Sequence, residues 1–397
     1  MHLDRLEIDQ FRLYSHLELD IPRSGLRISG RNASGKTSIL EALVMLSTTR
    51  SPRAAADREV VAWDSGVDYG VPPYTRIETR FETCAGAGSA GIRLELDPER
   101  QAVSRKQYLL DGKQVRAHDI VGAVKCVLFS PEDVFLVSGA PSERRRQIDI
   151  LISQIDRTYL SALSQYGKVL AQRNQLLKRF SRERRSSRDI GAVTEISFWD
   201  EELVATGSLV MAYRNLIASR IAELVSARSA TLLEGGEIGF AYVPKLPLHL
   251  LHLIGDAKQD RDAVASHFKP TIEQARGEEF RRGMTVVGPH RDDFMFLVGQ
   301  RELAAYGSRG QQRLGVVAYR LAEIDVIDQQ SGERPILLLD DVLSELDSVH
   351  RDRLLAAVAE CDCQLLVTST DASLLDHRVL ERLPAAELRG GAVDVLA

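Results

Sequence analysis

The chain has 397 residues, of which 44% are hydrophobic and 27% are charged, and its formal net charge at pH 7 is −5. This composition indicates a globular protein of two or three domains, and it excludes a uniformly basic nucleic-acid-binding protein while leaving room for a local basic surface. No apolar stretch approaches about 18 residues, no apolar signal segment opens the chain and the four cysteines lack CxxC spacing, so we expect a reduced cytoplasmic protein without a membrane span or structural zinc.

The first third of the chain alternates apolar and polar residues, as strands do. The strands predicted in this way cover residues 2–10, 17–21, 26–29, 75–83, 92–96 and 124–130. We predict a turn of small residues over 86–91, because glycines and alanines cluster there. The stretch Phe11-Arg12-Leu13-Tyr14 lies between the first two strands.

A phosphate-loop motif follows the predicted strand at 26–29 and precedes a predicted helix over 39–46. Its residues are Gly30, Arg31, Asn32, Ala33, Ser34, Gly35, Lys36, Thr37 and Ser38, which match the Walker A form GxxxxGK[ST]. Backbone N–H groups of such a loop face phosphate oxygens, and its glycines allow the tight turn. We expect Lys36 to reach the β- and γ-phosphates of ATP and Thr37 to ligate Mg²⁺. The alternative is a chance turn rich in glycine and serine, which the flanking elements disfavour.

The middle of the chain, from 142 to 233, lacks strand patterns and proline. Leucines and valines at helical spacing predict two long helices, which the polar stretch 182–191 separates. No heptad repeat is sustained, so we interpret this region as a compact helical insertion. Strand patterns return at 237–243 and 294–298, with a predicted helix over 267–277 between them.

Residues 336–341, Ile-Leu-Leu-Leu-Asp-Asp, have the Walker B pattern of an apolar strand that ends in carboxylates. Ligands bind at the carboxyl ends of strands in open α/β sheets. We expect Asp340 to hold Mg²⁺ and Asp341 to orient or deprotonate the attacking water. Alone, the pattern fits a buried strand with an acidic end equally well, but the Walker A motif upstream favours the ATP site.

A loop with the pattern S-x-G-x-Q, formed by Ser308, Gly310 and Gln312, precedes a predicted helix. Taken alone, Ser308 fits an ordinary helix N-cap better than a phosphate ligand. The loop, the helix, the Asp-Asp strand and the stretch Ser344-Glu345-Leu346-Asp347 together resemble the C-terminal half of an ABC-type ATPase. The separation of this C-terminal half from the Walker A motif, in sequence, is similar to that in SMC and Rad50 heads.

Stretches spread over the whole chain resemble the RecF family of that superfamily. They are 11–14, the Walker loop, 129–133, 144–149, 168–174, 288–293, the Ser308 loop and the Asp340 strand. The resemblance implies an α/β fold, an ABC-ATPase-like head of the Rad50/SMC type with an inserted helical arm domain. We place the two head lobes at residues 1–138 and 237–397 and the arm at 139–236. The chain departs from the family at Arg31 and Ser34, where Glu and Gln are usual.

The resemblance also implies a function. ATP would close a homodimer on DNA at double-strand to single-strand gap regions, with the Ser308 loop of one subunit completing the ATP site around Lys36 of the other. Arg12 would lie by the nucleotide. Asp341 stands where ABC transporters have glutamate, which implies slow, DNA-stimulated, Mg²⁺-dependent hydrolysis. The family further implies RecR and RecO as partners, help in loading RecA, and roles in DNA replication, DNA repair and the SOS response.

A basic segment, residues 141–188, carries twelve Lys and Arg residues against four Asp and Glu. Such clusters bind DNA phosphates without sequence preference, and the scarcity of aromatics favours duplex contact over base stacking. The DNA-binding residues that we predict are Arg144, Arg145, Arg146, Lys178 and Arg179. A charge run alone more often marks a solvated helix face, and it is the family resemblance that favours DNA.

Two other classes of function stay open. A P-loop kinase or transporter motor is disfavoured by the S-x-G-x-Q loop and by the basic helical insertion. An SMC-like structural clamp that acts without recombination partners would share every motif described above.

Overall fold

Strands dominate both ends of the chain and long helices dominate its middle. The structure is a computed structural model, and it describes residues 1–67, 70–100, 102–233, 237–248, 253, 255–389 and 392–396. The strands are β1 (His2–Phe11), β2 (Tyr14–Asp20), β3 (Gly25–Gly30), β4 (Tyr74–Thr83), β5 (Gly86–Asp97), β6 (Ala102–Leu110), β7 (Lys113–Val115), β8 (Cys126–Phe129), β9 (Ile238–Val243), β10 (Asp293–Val298), β11 (Arg301–Glu302), β12 (Ile336–Asp340), β13 (Leu365–Ser369), β14 (Ala385–Arg389) and β15 (Ala392–Leu396). The helices are α1 (Lys36–Thr48), α2 (Ala117–Ile120), α3 (Phe135–Ser138), α4 (Pro141–Ile155), α5 (Arg157–Arg182), α6 (Ile190–Leu232), α7 (Ala257–Arg282), α8 (Leu303–Tyr306), α9 (Arg309–Ser331) and α10 (Ser348–Glu360).

Internal contacts divide the chain into two compact units. The first unit comprises Met1–Val134, Thr231–Glu234 and Arg313–Ala397, and the second comprises Phe135–Ala230 and Gly235–Gln312. This division differs from the predicted boundaries, which assigned residues 1–138 and 237–397 to the two head lobes and stay a prediction. Residues 235–312 belong with the helical insertion because α7 packs on α5 and β10 packs on α4.

A six-stranded sheet in the first unit positions the Walker motifs. Its order is β15-β14-β3-β13-β12-β8, and β14, β3, β13, β12 and β8 run parallel. Every residue of β12 and β13 is buried, as expected for central strands covered on both faces. The carboxyl ends of β3 and β12 therefore meet at one edge of the sheet, where the phosphate loop and Asp340 lie.

An antiparallel sheet with the order β2-β1-β4-β5-β6-β7 forms the rest of the first unit's strands. The predicted turn over 86–91 is wrong, because β5 begins at Gly86 and the reversal uses residues 84 and 85. The glycines make room for cross-strand side chains: a Cβ on Gly88 would lie 2.9 Å from the Phe81 ring, and one on Gly91 would lie 2.8 Å from Glu78 Cγ. Small residues here serve the packing of a strand rather than a turn.

The second unit consists of long helices and the three-stranded sheet β11-β10-β9. The two predicted long helices are confirmed as α5 and α6, separated by residues 183–189. Arg173 of α5 is fully buried, and its guanidinium donates to Asp200 (2.8 Å), Glu279 (2.6 Å) and Thr285 (2.8 Å). A buried charge is tolerated when it is paired and hydrogen-bonded in this way.

The described helices include none with both the length and the apolar character that crossing a membrane requires.

Candidate nucleotide site

The phosphate loop connects β3, which ends at Gly30, to α1, which begins at Lys36. Gly35 precedes the helix with φ of 106°, a left-handed conformation that favours glycine. The Lys36 side chain is only 6% exposed, and its ammonium donates to the carbonyls of Gly30 (2.7 Å) and Arg31 (2.9 Å). Through these two bonds Lys36 closes the loop on itself.

The Walker A and Walker B motifs meet at Asp340. The hydroxyls of Thr37 and Thr368 each donate to Asp340 Oδ1 at 2.9 Å. Burial raises the pKa of Asp340, while these two hydrogen bonds lower it. The two oxygens predicted to ligate Mg²⁺, those of Thr37 and Asp340, thus lie 2.9 Å apart.

Two charged residues that the sequence did not reveal also act on Asp340. The positive charge of Arg53 lowers the pKa of Asp340 and the negative charge of Glu132 raises it. Glu132 follows β8, which pairs in parallel with β12 so that Phe129 lies opposite Leu339. Sequence alone gives no strand order, so neither residue could be placed at the site; Glu132 did lie in a stretch that resembles the RecF family.

Asp341 follows the buried strand but is itself only half-buried. Its φ is 53°, a left-handed conformation that aspartate tolerates better than most residues. The backbone N–H of Thr370 donates to Asp341 Oδ1 at 3.3 Å. Both Asp341 and Asp340 oppose the lowering of the Lys36 pKa that burial causes. This acid thus stands beside the loop lysine with access to solvent.

The loop's side chains have the chemistry to hold a triphosphate. The hydroxyl oxygens of Ser34 and Tyr14 are shielded from solvent, and neither has a hydrogen-bond partner among the described residues. Buried polar groups are normally satisfied, so these two indicate a site that is completed by a ligand. No group of three or more His, Cys, Asp or Glu side chains among the described residues could hold a metal. Mg²⁺ would therefore depend on phosphate oxygens together with Thr37 and Asp340.

Arg12 contacts α1, the helix that follows the phosphate loop. Its guanidinium donates to Glu41 of α1 through Nε (2.9 Å) and Nη2 (2.6 Å) and to the carbonyl of Glu59 through Nη1 (2.7 Å). These bonds use three of the five N–H groups of the guanidinium, and a place for Arg12 by the nucleotide stays a prediction. Arg12 thus links the β1–β2 turn to α1.

The Ser308 loop belongs to the second unit, whereas the Walker motifs belong to the first. The Ser308 backbone N–H donates to Gln311 Oε1 (2.9 Å), and the Gln311 N–H donates to Ser308 Oγ (3.2 Å). This is a capping box at the start of α9. The Gln312 side chain stabilises the loop by donating to the carbonyls of Ala304 (3.1 Å) and Gly307 (3.2 Å). Gly310 is exposed.

Comparison with known proteins identifies the family. Residues 2–383 match the family model described as "RecF/RecN/SMC N terminal domain". The DNA replication and repair protein RecF of Thermomicrobium roseum is 42% identical over 98% of this chain and 98% of its own. The protein of the same name from Bacillus subtilis is 33% identical over 99% of this chain and 100% of its own. The chain belongs to the RecF family. The predicted resemblance, and with it a link to DNA replication and repair, is confirmed.

Solved structures confirm the predicted head fold. The chain superposes on a structure of the recombination mediator protein RecF with ATPrS in the RecFOR pathway with a TM-score of 0.85, at 26% identity, over 100% of this chain and 98% of that one. An Smc head domain from Pyrococcus furiosus matches with a TM-score of 0.53 at 17% identity, over 100% of this chain and 96% of that one. This second match shows the fold alone, an ABC-ATPase head.

Arg144, one of the predicted DNA-binding residues of this RecF-family chain, is buried in the second unit. Its guanidinium pairs with Asp293 through two bonds of 2.8 and 2.9 Å and donates to the Gly139 carbonyl at 2.8 Å. Its relative exposure is 8%. Arg144 has no free donor facing solvent, and we withdraw it from the predicted DNA surface. It connects α4 to β10 instead.

The other predicted DNA-binding residues differ in exposure. Arg145 is half-buried and donates to the Asp292 carbonyl (2.7 Å), and burial lowers its pKa. Arg179 is exposed but forms ion pairs with Glu183 and Glu195. Arg146 and Lys178 are exposed. Lys178 has no ion pair within the described part of the chain, which leaves its charge available to a phosphate.

Proposed function

We propose that this chain is an ATP-dependent DNA-binding recombination mediator that acts in DNA repair and replication restart. The observation that carries the proposal is the direct contact between Thr37 and Asp340, which assembles Walker A and Walker B at one point beside Lys36. Relatives named DNA replication and repair protein RecF and a solved RecF structure with ATP support it.

ATP binding would replace the contacts that Lys36 makes with the loop carbonyls. Its ammonium leaves the carbonyls of Gly30 and Arg31 for phosphate oxygens, and the loop's N–H groups face the same phosphates. Mg²⁺, when bound, supplies positive charge that stabilises the phosphates. Asp341 orients the attacking water and accepts its proton. Its side chain is shorter than glutamate, so we infer slow hydrolysis that is stimulated by DNA and times a switch.

A homodimer would combine the two half-sites that each chain carries in different units. The Ser308 hydroxyl accepts the Gln311 N–H, and it keeps its own hydrogen to donate to the γ-phosphate on a second copy of the chain. The exposed Gly310 leaves room for the approach of that phosphate. ATP would therefore close the dimer, and hydrolysis would open it.

The dimer is tested by Ser308→Asp, because aspartate is also a good N-cap and keeps the helix start intact. Its negative charge repels the γ-phosphate, so we expect unchanged ATP binding but no ATP-dependent dimer in sedimentation velocity. Ser219→Asp, on an exposed position of α6 in the same unit, is the matched control and should dimerise like the wild type. Dimerisation of the Ser308→Asp protein would refute the role of this loop across the interface.

For DNA, we propose a surface at the end of the second unit that the sequence could only partly define. This basic end consists of Lys178, Arg182, Arg184, Arg188 and Arg281, all exposed and without ion pairs among the described residues. The Ser181 hydroxyl donates to the Arg281 carbonyl at 3.4 Å, which brings the last turns of α5 and α7 together.

A small apolar cluster holds the basic end in place. Phe180 stacks on Phe280 with ring centroids 5.1 Å apart, and Leu177, Ala192 and Ile196 complete the cluster. The charges are thus fixed on a rigid base, which suits contact with the phosphates of duplex DNA near a gap. Arg281 lies about a hundred residues from the segment that suggested DNA binding, so only the fold adds it.

The DNA surface is tested by reversing Lys178, Arg182 and Arg281 to glutamate. We expect weaker binding to gapped duplex and a lower slope of affinity against salt, since about three phosphate contacts are lost. The matched control reverses Lys258, Arg261 and Lys269, which are exposed on the same unit along α7 and change the net charge equally. Equal losses in both triple variants would show a general charge effect and refute a local surface.

The RecFOR pathway named for the solved relative supports RecR and RecO as partners. From the family resemblance we further propose that the chain helps to load RecA in the cytoplasm and supports the SOS response. Co-sedimentation of purified RecR with the ATP-bound chain on gapped DNA tests the partnership with RecR. DNA-stimulated release of inorganic phosphate, with no transfer to small molecules, separates this function from a kinase or transporter motor. Dependence of RecA loading on the chain separates it from a structural clamp.

A further inference from the structure

Tyr14 stands out because it is a tyrosine that the fold buries without satisfying its hydroxyl. The residue is 1% exposed, and its Oη has no hydrogen-bond partner among the described residues. A buried donor left unpaired destabilises the fold, because it has lost its hydrogen bond to water and gained none in return. Phenylalanine would fill the same space without that cost, so the hydroxyl calls for an explanation.

The ring of Tyr14 lies against the phosphate loop. A Cβ placed on Gly35 would collide with the Tyr14 hydroxyl and would lie 2.7 Å from its Cζ. Gly35 is thus required both by its left-handed φ of 106° and by the ring that fills the space where a side chain would be. The hydroxyl reaches the backbone of the loop at the residue just before Lys36.

The turn that carries Tyr14 contacts α1 at a second point. Phe11 and Tyr14 close the β1–β2 turn as paired residues, and Arg12 between them binds Glu41 on α1. One turn of chain therefore holds the loop through Tyr14 and the helix that follows it through Arg12. A shift of the phosphate loop would therefore also displace this turn.

We propose that Tyr14 is a positioning residue for the nucleotide, whose hydroxyl gains a hydrogen-bond acceptor when the phosphate loop is filled. The inference rests on the proposed ATP binding. When Lys36 turns to the phosphates it releases the carbonyls of Gly30 and Arg31, and we assign a released carbonyl of the loop as the acceptor. The unpaired hydroxyl thus destabilises the loop conformation in which Lys36 binds these carbonyls, and favours the one in which it binds phosphates.

The test is Tyr14→Phe, because the proposal predicts that this variant is more stable without nucleotide but binds ATP less tightly. Without nucleotide, the melting temperature should rise by about 2 °C, since an unsatisfied buried group is removed. ATP affinity, measured by calorimetric titration, should fall by about tenfold, since the gain on loading is lost. If Tyr14 only packed against the loop, Tyr14→Phe would not combine a higher melting temperature with a weaker ATP affinity.

Tyr159→Phe is the matched control. The Tyr159 hydroxyl is buried in the second unit and donates to Asp149 at 2.5 Å, so its removal should lower the melting temperature and leave ATP affinity unchanged. Wild-type ATP affinity in the Tyr14→Phe protein, or a lower melting temperature without nucleotide, would overturn the proposal for Tyr14 alone. A wild-type chain that binds no ATP would overturn the proposed function as well.

Discussion

The buried position of Arg144 makes a prediction that separates folding from DNA binding. Arg144→Ala removes a guanidinium that pairs twice with Asp293 and donates to the Gly139 carbonyl. Breaking a fully buried ion pair costs about 3–5 kcal/mol, because the remaining charge loses its partner. The Asp293 side chain is 27% exposed, so water recovers part of this, and we expect a loss of about 3 kcal/mol.

Fluorescence during urea unfolding measures this loss. The chain has two tryptophans, and Trp63, which is 99% exposed, can be replaced by phenylalanine so that Trp199 on α6 reports the second unit alone. In this background Arg144→Ala should unfold at a lower urea concentration. In the absence of urea the variant is still folded. Its affinity for gapped DNA, and the salt dependence of that affinity, should then match those of the parent.

Arg182→Ala is the control with the opposite expectation. Arg182 is exposed and without an ion pair in the described structure, so its loss should change the unfolding free energy by less than about 0.5 kcal/mol. It belongs to the basic end and should weaken DNA binding. If Arg144→Ala were as stable as the parent and bound DNA less tightly, the assignment of Arg144 to folding would be refuted.

Three further predictions concern the nucleotide site and pH. Lys36→Met should abolish detectable ATP binding in calorimetry, while the melting temperature without nucleotide changes little because the relief of a buried charge offsets two lost hydrogen bonds. Asp341→Asn should bind ATP normally, release phosphate at least about tenfold more slowly and remain dimeric with ATP. His290 donates to Thr285 and accepts from Tyr166, and burial lowers its pKa from 6.5 to about 4. The unfolded chain binds the proton more readily, so stability should fall by about 2–3 kcal/mol between pH 7 and pH 4.5, and His290→Gln should flatten that part of the urea-unfolding profile.

The sequence predicted that the Walker A and Walker B residues lie together, because these motifs are local and their context is simple. A strand, a glycine-bounded loop and a helix place Lys36 and Thr37, and the rule that ligands bind at carboxyl ends of parallel strands brings Asp340 to them. Arg53 and Glu132 lie outside such motifs. The position of Glu132 depends on strand order, with β8 next to β12, and one sequence gives no strand order.

The errors have a common physical cause, which is that long-range packing decides the role of a residue whose local pattern is ambiguous. Glycines over 86–91 indicate a turn in sequence, but Phe81 and Glu78 on the neighbouring strand need the space. Arg144 belongs to a basic run, but its partner Asp293 comes from β10. A charge pattern on a helix cannot show which side of the helix another element will cover.

Ser308 shows that a structural and a functional interpretation of one residue need not compete. The sequence alone favoured a helix N-cap, and the capping box with Gln311 shows that this cap exists. A hydroxyl has two acceptor lone pairs and one donor, and the cap uses only an acceptor. The donor stays available at the exposed start of α9, so the cap fixes the oxygen in place and leaves its hydrogen for a phosphate. The presence of the cap therefore argues neither for nor against a dimer. Ser308→Asp is the informative substitution because it preserves the cap and replaces the hydroxyl donor with a negative charge.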